Sequence, residues 1–262
     1  MNAELPLANR DAAHLPGHWL LARLGKRVLR PGGVELTQAM LGGADIEGAD
    51  VVELAPGLGH TAAEILTARP KSYMGVEHDE SAATIVRDRV GERGSCVVGE
   101  AAQTGLPDAS ADLVIGEAML TMQTDRSKAA IIAEAARVLR PGGRYAIHEL
   151  ALQPDTLDEA LKKDVQQSLA RAIKVNARPM TVEEWRDLLV VGGFTIAETN
   201  TAPMALLQPR RLLADEGLLG TLRFAKNLLR DHDARKRVLD MRKTFVKYDK
   251  EMVAVSFVAI KA

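Results

Sequence analysis

The chain has 262 residues, 47% of them hydrophobic and 26% charged, with a formal net charge of -1. A chain of this size fits one α/β domain with additions, its composition argues against disorder, and its near-neutrality leaves no global field to draw in nucleic acid or an anionic membrane. A single cysteine, Cys96, excludes an internal disulfide and a cysteine-built metal site, and the six histidines show no metal-binding spacing, so no metal is expected. No apolar run reaches the roughly 18 residues of a membrane helix, and the opening Met1-Asn2-Ala3-Glu4-Leu5-Pro6 lacks a signal-peptide core. A cytoplasmic protein without a membrane partner is the expectation.

Residues 1–44 read as an N-terminal helical arm. Its first 16 residues are polar with scattered prolines and predict a loose segment. Apolar residues then recur at helical spacing from His18 to Leu29 and stop at Arg30-Pro31-Gly32-Gly33. A short helix over Glu35–Leu41 follows before Gly42-Gly43.

Residues 45–262 read as the main domain, organised around Val51-Val52-Glu53-Leu54-Ala55-Pro56-Gly57-Leu58-Gly59-His60-Thr61. An apolar strand ends in an acid, passes through a glycine turn and enters the helix former Ala62-Ala63-Glu64-Ile65-Leu66. Gly57 and Gly59 permit a close ligand approach, and the helix that follows offers unpaired N–H groups. About twenty residues on, Tyr73-Met74-Gly75-Val76-Glu77 is a second strand ending in an acid, where a carboxylate can take both hydroxyls of a ribose. The two strand ends together predict a nucleoside cofactor.

A dinucleotide fingerprint would place a third glycine where Ala62 stands, and Glu53 would repel a pyrophosphate but suit an ammonium. In this stretch the chain resembles the class I S-adenosylmethionine (SAM) dependent methyltransferases, among them the UbiE-like small-molecule enzymes. Their first motif, E/D-x-G-x-G-x-G, reads here Glu53-Leu54-Ala55-Pro56-Gly57-Leu58-Gly59, with Ala55 in place of the first glycine. The resemblance covers roughly residues 45–150. It implies a Rossmann-like α/β sheet of strand order 3-2-1-4-5-7-6 with an antiparallel last strand, and SAM as cofactor with S-adenosylhomocysteine as product. It also implies a cofactor site lined by Glu53, Ala55, Pro56, Gly57, Gly59, Glu77, Glu100 and Ala101, with Glu100 accepting from the adenine amine. His78 would flank adenine, and Arg30 could reach the SAM carboxylate; a solvated arginine at a helix end is the competing reading.

Farther along, Ser81–Val90 reads as a helix, Ser95–Val98 as a third strand, and Ala111–Ile115 as a buried fourth strand. Glu117 follows at its carboxyl end, where open parallel sheets bind ligands, so it should lie near the cofactor methyl. Lys128–Leu139 is helical by periodicity and ends at Arg140-Pro141-Gly142-Gly143, before a fifth strand that runs through His148 and Glu149. Glu117, His148 and Glu149 are thus the candidate bases, each with a structural reading beside it, and His60 is a weaker one.

Beyond Leu150, Thr156-Leu157-Asp158-Glu159 and Thr181-Val182-Glu183-Glu184 are capping-box patterns. They predict one amphipathic helix with Leu157, Leu161, Val165, Leu169 and Ile173 on one face, and a second helix closed by Gly192-Gly193. Phe194–Glu198 begins a strand, and Met252–Ile260 should pair with it antiparallel. Helical segments at about 154–176 and 209–248 are expected to cap the acceptor pocket, with Leu218, Leu222, Ala225 and Leu229 buried against the first. A helical pair extending the core, or the interface of a homodimer, is the other use of the insertion.

Methyl transfer from SAM to a small organic molecule is the expected function. A nicotinamide oxidoreductase is disfavoured by the missing glycine. A nucleic-acid methyltransferase is disfavoured because only Phe224 interrupts the basic residues of the insertion. A catalytically inactive SAM-binding regulatory module remains as the alternative of a different class.

Overall fold

The computed structural model describes residues 5–262. Among these residues nine α-helices and eight strands follow in the order α1 (Gly17–Arg23), α2 (Gly33–Gly43), β1 (Asp50–Leu54), α3 (His60–Thr67), β2 (Ser72–Glu77), α4 (Glu80–Val90), β3 (Ser95–Val98), β4 (Ala111–Glu117), α5 (Asp125–Val138), β5 (Leu139–Leu152), α6 (Glu159–Ile173), β6 (Met180–Thr181), α7 (Val182–Val191), β7 (Phe194–Pro203), α8 (Pro209–Arg230), α9 (His232–Lys247) and β8 (Met252–Lys261). The strands form one sheet of order β3-β2-β1-β4-β5-β8-β7, with β6 added beside β5. Apart from that two-residue strand, this is the order the resemblance implies.

Strands β3, β2, β1, β4 and β5 run parallel, whereas β8 is antiparallel to both β5 and β7. Val52, Leu54, Val114, Tyr145 and Ile147 pack against α5 and α7 on one face, where Trp185 is fully buried. Val51, Leu113, Ile115 and Ala146 join Met40, Ile65 and Val86 of α2, α3 and α4 on the other. Central strands coated on both faces are mostly apolar, and in β1, β2 and β4 the acids stand toward the strand ends, Asp50 and Asp112 at the amino side and Glu53, Glu77 and Glu117 at the carboxyl side.

A third apolar cluster stands beyond those ends. It joins Leu20 and Leu21 of α1, Leu150 and Leu152 of β5, Val165 and Leu169 of α6, Phe224 of α8, and Val238, Met241 and Phe245 of α9. Three local expectations change within this helical layer. Helix α1 ends at Arg23 rather than Leu29, because Gly25 takes a φ of +101°. Its turn is closed by Lys26 N–H to Leu21 O at 2.9 Å. Helix α6 starts from Asp158, whose carboxylate accepts from Ala160 and Leu161 N–H, not from Thr156. The Thr181–Glu184 capping box forms as expected.

The third change concerns α8. Gly217, at φ +68°, breaks it into two parts, and the outer part is rolled so that Phe224 enters the cap core. Leu218 (65% exposed), Leu222 (57%) and Leu229 (71%) therefore face solvent rather than α6, and α9 supplies the helix that packs on α6. The segment before α1 is also held: Ala12 and Leu15 are buried, and Arg237 donates to the carbonyls of Ala12, Ala13 and Leu15.

Candidate functional site

The carboxyl ends of β1, β2 and β4 open into a cavity of about 450 Å³. Glu53, Ala55, Pro56, Gly57, Glu77, His78 and Glu117 line it, with Arg30 arriving from the strap that joins α1 to α2. Gly59, at φ +68°, caps α3 without a side chain, so no side-chain group occupies the first turn of that helix. Ala55 has a φ of +52°, the conformation that glycine would take without cost, and its departure from the motif carries backbone strain of about 1 kcal/mol.

Glu53 is 2% exposed, and its Oε2 accepts the Tyr73 hydroxyl at 2.6 Å. Burial, against the relief from that hydrogen bond and with added repulsion from Glu117, pushes its carboxyl up to about 8. Glu77 accepts Gly57 N–H at 2.9 Å and Asp79 N–H at 3.2 Å, which couples the end of β2 to the glycine turn. Glu117 sits at the floor of the cavity. Burial alone would raise its carboxyl, but Arg30 (3.4 Å), His148 Nδ1 (3.0 Å) and Thr37 Oγ1 (2.6 Å) hold it down at about 2. Thr61 Oγ1 donates to its other oxygen. Two carboxyls of one cavity are thus held in opposite protonation states at neutral pH, Glu53 neutral and Glu117 ionised.

His148 is fully buried behind Glu117. Its Nε2 accepts Gly32 N–H at 3.1 Å, so the proton belongs on Nδ1, facing Glu117. Glu149 is equally buried and accepts from the N–H groups of Met119, Leu120 and Thr121 and from Thr121 Oγ1 at 2.6 Å. Neither residue lines the cavity, and the internal partners of both are complete. Glu100 is exposed and bonded to His78 Nδ1 at 2.8 Å; neither it nor Ala101 reaches the cavity. His60 lines the cavity and meets Arg89 at 2.9 Å, and burial, with the Arg89 charge, lowers its pKa to about 4.

Residues 52–147 match the family model described as a methyltransferase domain. A relative from Haemophilus influenzae, described only as an uncharacterized protein, is 33% identical over 235 residues, covering 87% of this chain and 91% of that one. The chain belongs to the class I SAM-dependent methyltransferases. SAM is the cofactor of this methyltransferase. The fold is shared with the [4+2]-cyclase SpnF (TM-score 0.71, 15% identity, 92% of this chain and 91% of that one) and with the MccD protein (0.72, 16%, 90% and 100%). It is shared too with a phosphoethanolamine N-methyltransferase of Haemonchus contortus crystallised with SAM (0.65, 19%, 94% and 56%). These likenesses show the fold alone, since one framework hosts unrelated reactions.

A second cavity of the methyltransferase, about 110 Å³, lies under the helical layer. Leu21, Leu150, Leu169, Met204, Met241 and Phe245 are among its walls, and among the described residues no carboxylate, lysine or arginine lines it. It shares His18, Leu29, Ala118 and Met122 with the first cavity. Sequence reasoning missed His18 and Trp19. Nothing local marks them, because α1 becomes part of the site only when the strap carries it over the sheet. Among the described residues no group of three or more His, Cys, Asp or Glu is placed to hold a metal ion, and no helix is long and apolar enough to cross a membrane.

Proposed function

We propose that this methyltransferase moves a methyl group from SAM to a small, largely apolar organic acceptor that occupies the second cavity. The observation that carries the reading is the continuity of the two chambers through His18, Leu29, Ala118 and Met122. One chamber is charged and rimmed by the glycine turn, and the other is apolar and closed in by the cap.

The residues of the first chamber fit SAM. Arg30 Nη1 is buried without a partner, an orphan that a carboxylate would satisfy. The Glu53 carboxyl suits the ammonium, the paired oxygens of Glu77 suit the ribose hydroxyls, and His78 stands at the adenine end. Glu117 holds Arg30, Thr37 and Thr61 in register beneath the methionine portion and acts as a positioning residue. His148 and Glu149, as fully bonded groups, take structural roles in this reading: His148 orients Glu117, and Glu149 fixes the turn after β4.

SAM supplies an electrophilic methyl on a sulfonium. The protein's own contribution is then alignment of the acceptor and exclusion of water, which can account for much of the rate. The phosphoethanolamine of the Haemonchus enzyme's name is charged, and such a group would be buried unpaired in this chain's second chamber at a cost of several kcal/mol. A neutral acceptor follows.

The test is conversion of SAM to S-adenosylhomocysteine with a panel of neutral ring compounds and a matched panel of phosphorylated or zwitterionic amines. Turnover confined to the neutral set supports the reading. Turnover confined to the charged set overturns it.

A further inference from the structure

His18 stands at the junction of the two chambers and lines both of them. Among the described residues it is the only ionisable side chain in the walls of the apolar chamber. The other polar side chain there, Thr121, is committed to Glu149 at 2.6 Å. The His18 ring leans on Trp19, with centroids 4.8 Å apart, which fixes its plane. Among the described residues no hydrogen-bond partner holds its nitrogens, whereas both nitrogens of His148 are held. An imidazole without a protein partner among the described residues therefore lines the place where the two chambers meet.

Resting on the reading of the second chamber as the acceptor pocket, we propose that His18 accepts the proton of a ring-borne hydroxyl, so that the acceptor is a phenol methylated on oxygen. The chamber size sets an upper limit of one ring: its volume of about 110 Å³ lies below the ~150 Å³ of an apolar cavity that takes up benzene, and the opening into the first chamber gives the ring's hydroxyl end its space. Its walls of Leu, Met, Ile and Phe offer a ring dispersion contacts and no second polar anchor. An amine acceptor would enter as an ammonium and find no carboxylate there, while a phenol enters neutral. Burial lowers the imidazole pKa to about 4, which leaves it neutral and able to accept at pH 7.

The balance is simple. The phenol oxygen uses a lone pair to bond the methyl carbon while the carbon–sulfur bond breaks, and the sulfur keeps that electron pair as a neutral thioether. The O–H proton passes to the open ring nitrogen of His18 and then to solvent through the larger cavity. A weak base suffices, because the oxygen becomes strongly acidic as the new bond forms.

The experiment uses His18→Phe, which keeps a ring against Trp19 but removes the acceptor atom, with His18→Ala as a second variant. Binding of phenol and of toluene is measured on the protein saturated with S-adenosylhomocysteine. The wild type should prefer phenol by about fivefold, and both variants should lose that preference while SAM affinity stays within about twofold. Turnover of phenols should fall by about 100-fold or more, and the loss should shrink for phenols already ionised at the assay pH. Equal phenol and toluene affinity in the wild type, or a turnover loss independent of phenol acidity, would overturn the role of His18 alone. Turnover by the wild type of charged amines and of no ring hydroxyl would overturn the acceptor-pocket reading, and this inference with it.

Discussion

The Tyr73 hydroxyl donates a 2.6 Å hydrogen bond to Glu53 inside the sheet, and that bond is the only side-chain partner the buried carboxyl has among the described residues. With its pKa pushed up to about 8 by burial, Glu53 is mostly protonated at neutral pH before any ligand arrives. An ammonium placed against it would drive the proton off. SAM binding near pH 7 should therefore release close to one proton, turning to uptake by about pH 9, where the free amine of SAM has lost its own. Calorimetric titration in buffers of unlike ionisation enthalpy reads this number directly. No release at pH 7 would mean that Glu53 does not face the ammonium.

The same carboxyl sets a slope in stability. An unfolded glutamate titrates near ~4.3 and folded Glu53 near about 8, so between those values the folded state holds the extra proton. The ligand-free protein should lose stability as pH rises through that window. Glu53→Gln should flatten the pH dependence of Tm and weaken SAM binding about tenfold or more. A parallel slope in the variant would assign it to other groups.

Glu77 joins two tasks, accepting the Gly57 and Asp79 N–H groups and facing the cavity. Glu77→Ala should weaken SAM binding by more than about tenfold, because the ribose contact is charge-assisted and the glycine turn loses its brace. Equilibrium binding checks it, and unchanged affinity would move the ribose elsewhere.

His148 separates a structural from a catalytic role. His148→Gln should leave the Gly32 N–H or Glu117 under-bonded and cost about 2 kcal/mol in urea unfolding. Its kcat at saturating substrate should stay within about tenfold, since a lost general base would cost ~100-fold or more.

Glu216 reaches from the kink in α8 to the strap, accepting Arg27 N–H at 2.7 Å and Val28 N–H at 2.9 Å beside the buried Lys26 ammonium. Lys26 keeps Asp215 at 3.3 Å as its second partner. Glu216→Ala should cost about 2 kcal/mol by leaving the Arg27 and Val28 N–H groups without their acceptor, and should weaken SAM binding because the strap carries Arg30. A destabilised variant with unchanged SAM affinity would show that the strap holds its place without α8.

The sheet was legible because its signals are local. Alternating βα periodicity, acids displaced to strand ends and the Gly57–Gly59 turn each follow from covering a parallel sheet on both faces, and together they placed Glu53, Glu77 and Glu117 around one cavity. The helical layer was not legible to the same depth. Leu218, Leu222 and Leu229 have helical spacing that any apolar face would show, and only the break at Gly217 and the anchor of Glu216 decided that this face turns outward.

The sequence by itself determined the βα alternation and the cofactor-facing loops, since hydrophobic periodicity and glycine placement act within a few residues of one another, while the strand order followed from the family resemblance. Only the tertiary structure decided that His148 is locked between Gly32 and Glu117, and that His18 stands open between two chambers. Both outcomes depend on a strap and a cap whose partners lie more than a hundred residues away, and the burial that sets a side chain's protonation and accessibility is a property of those distant contacts.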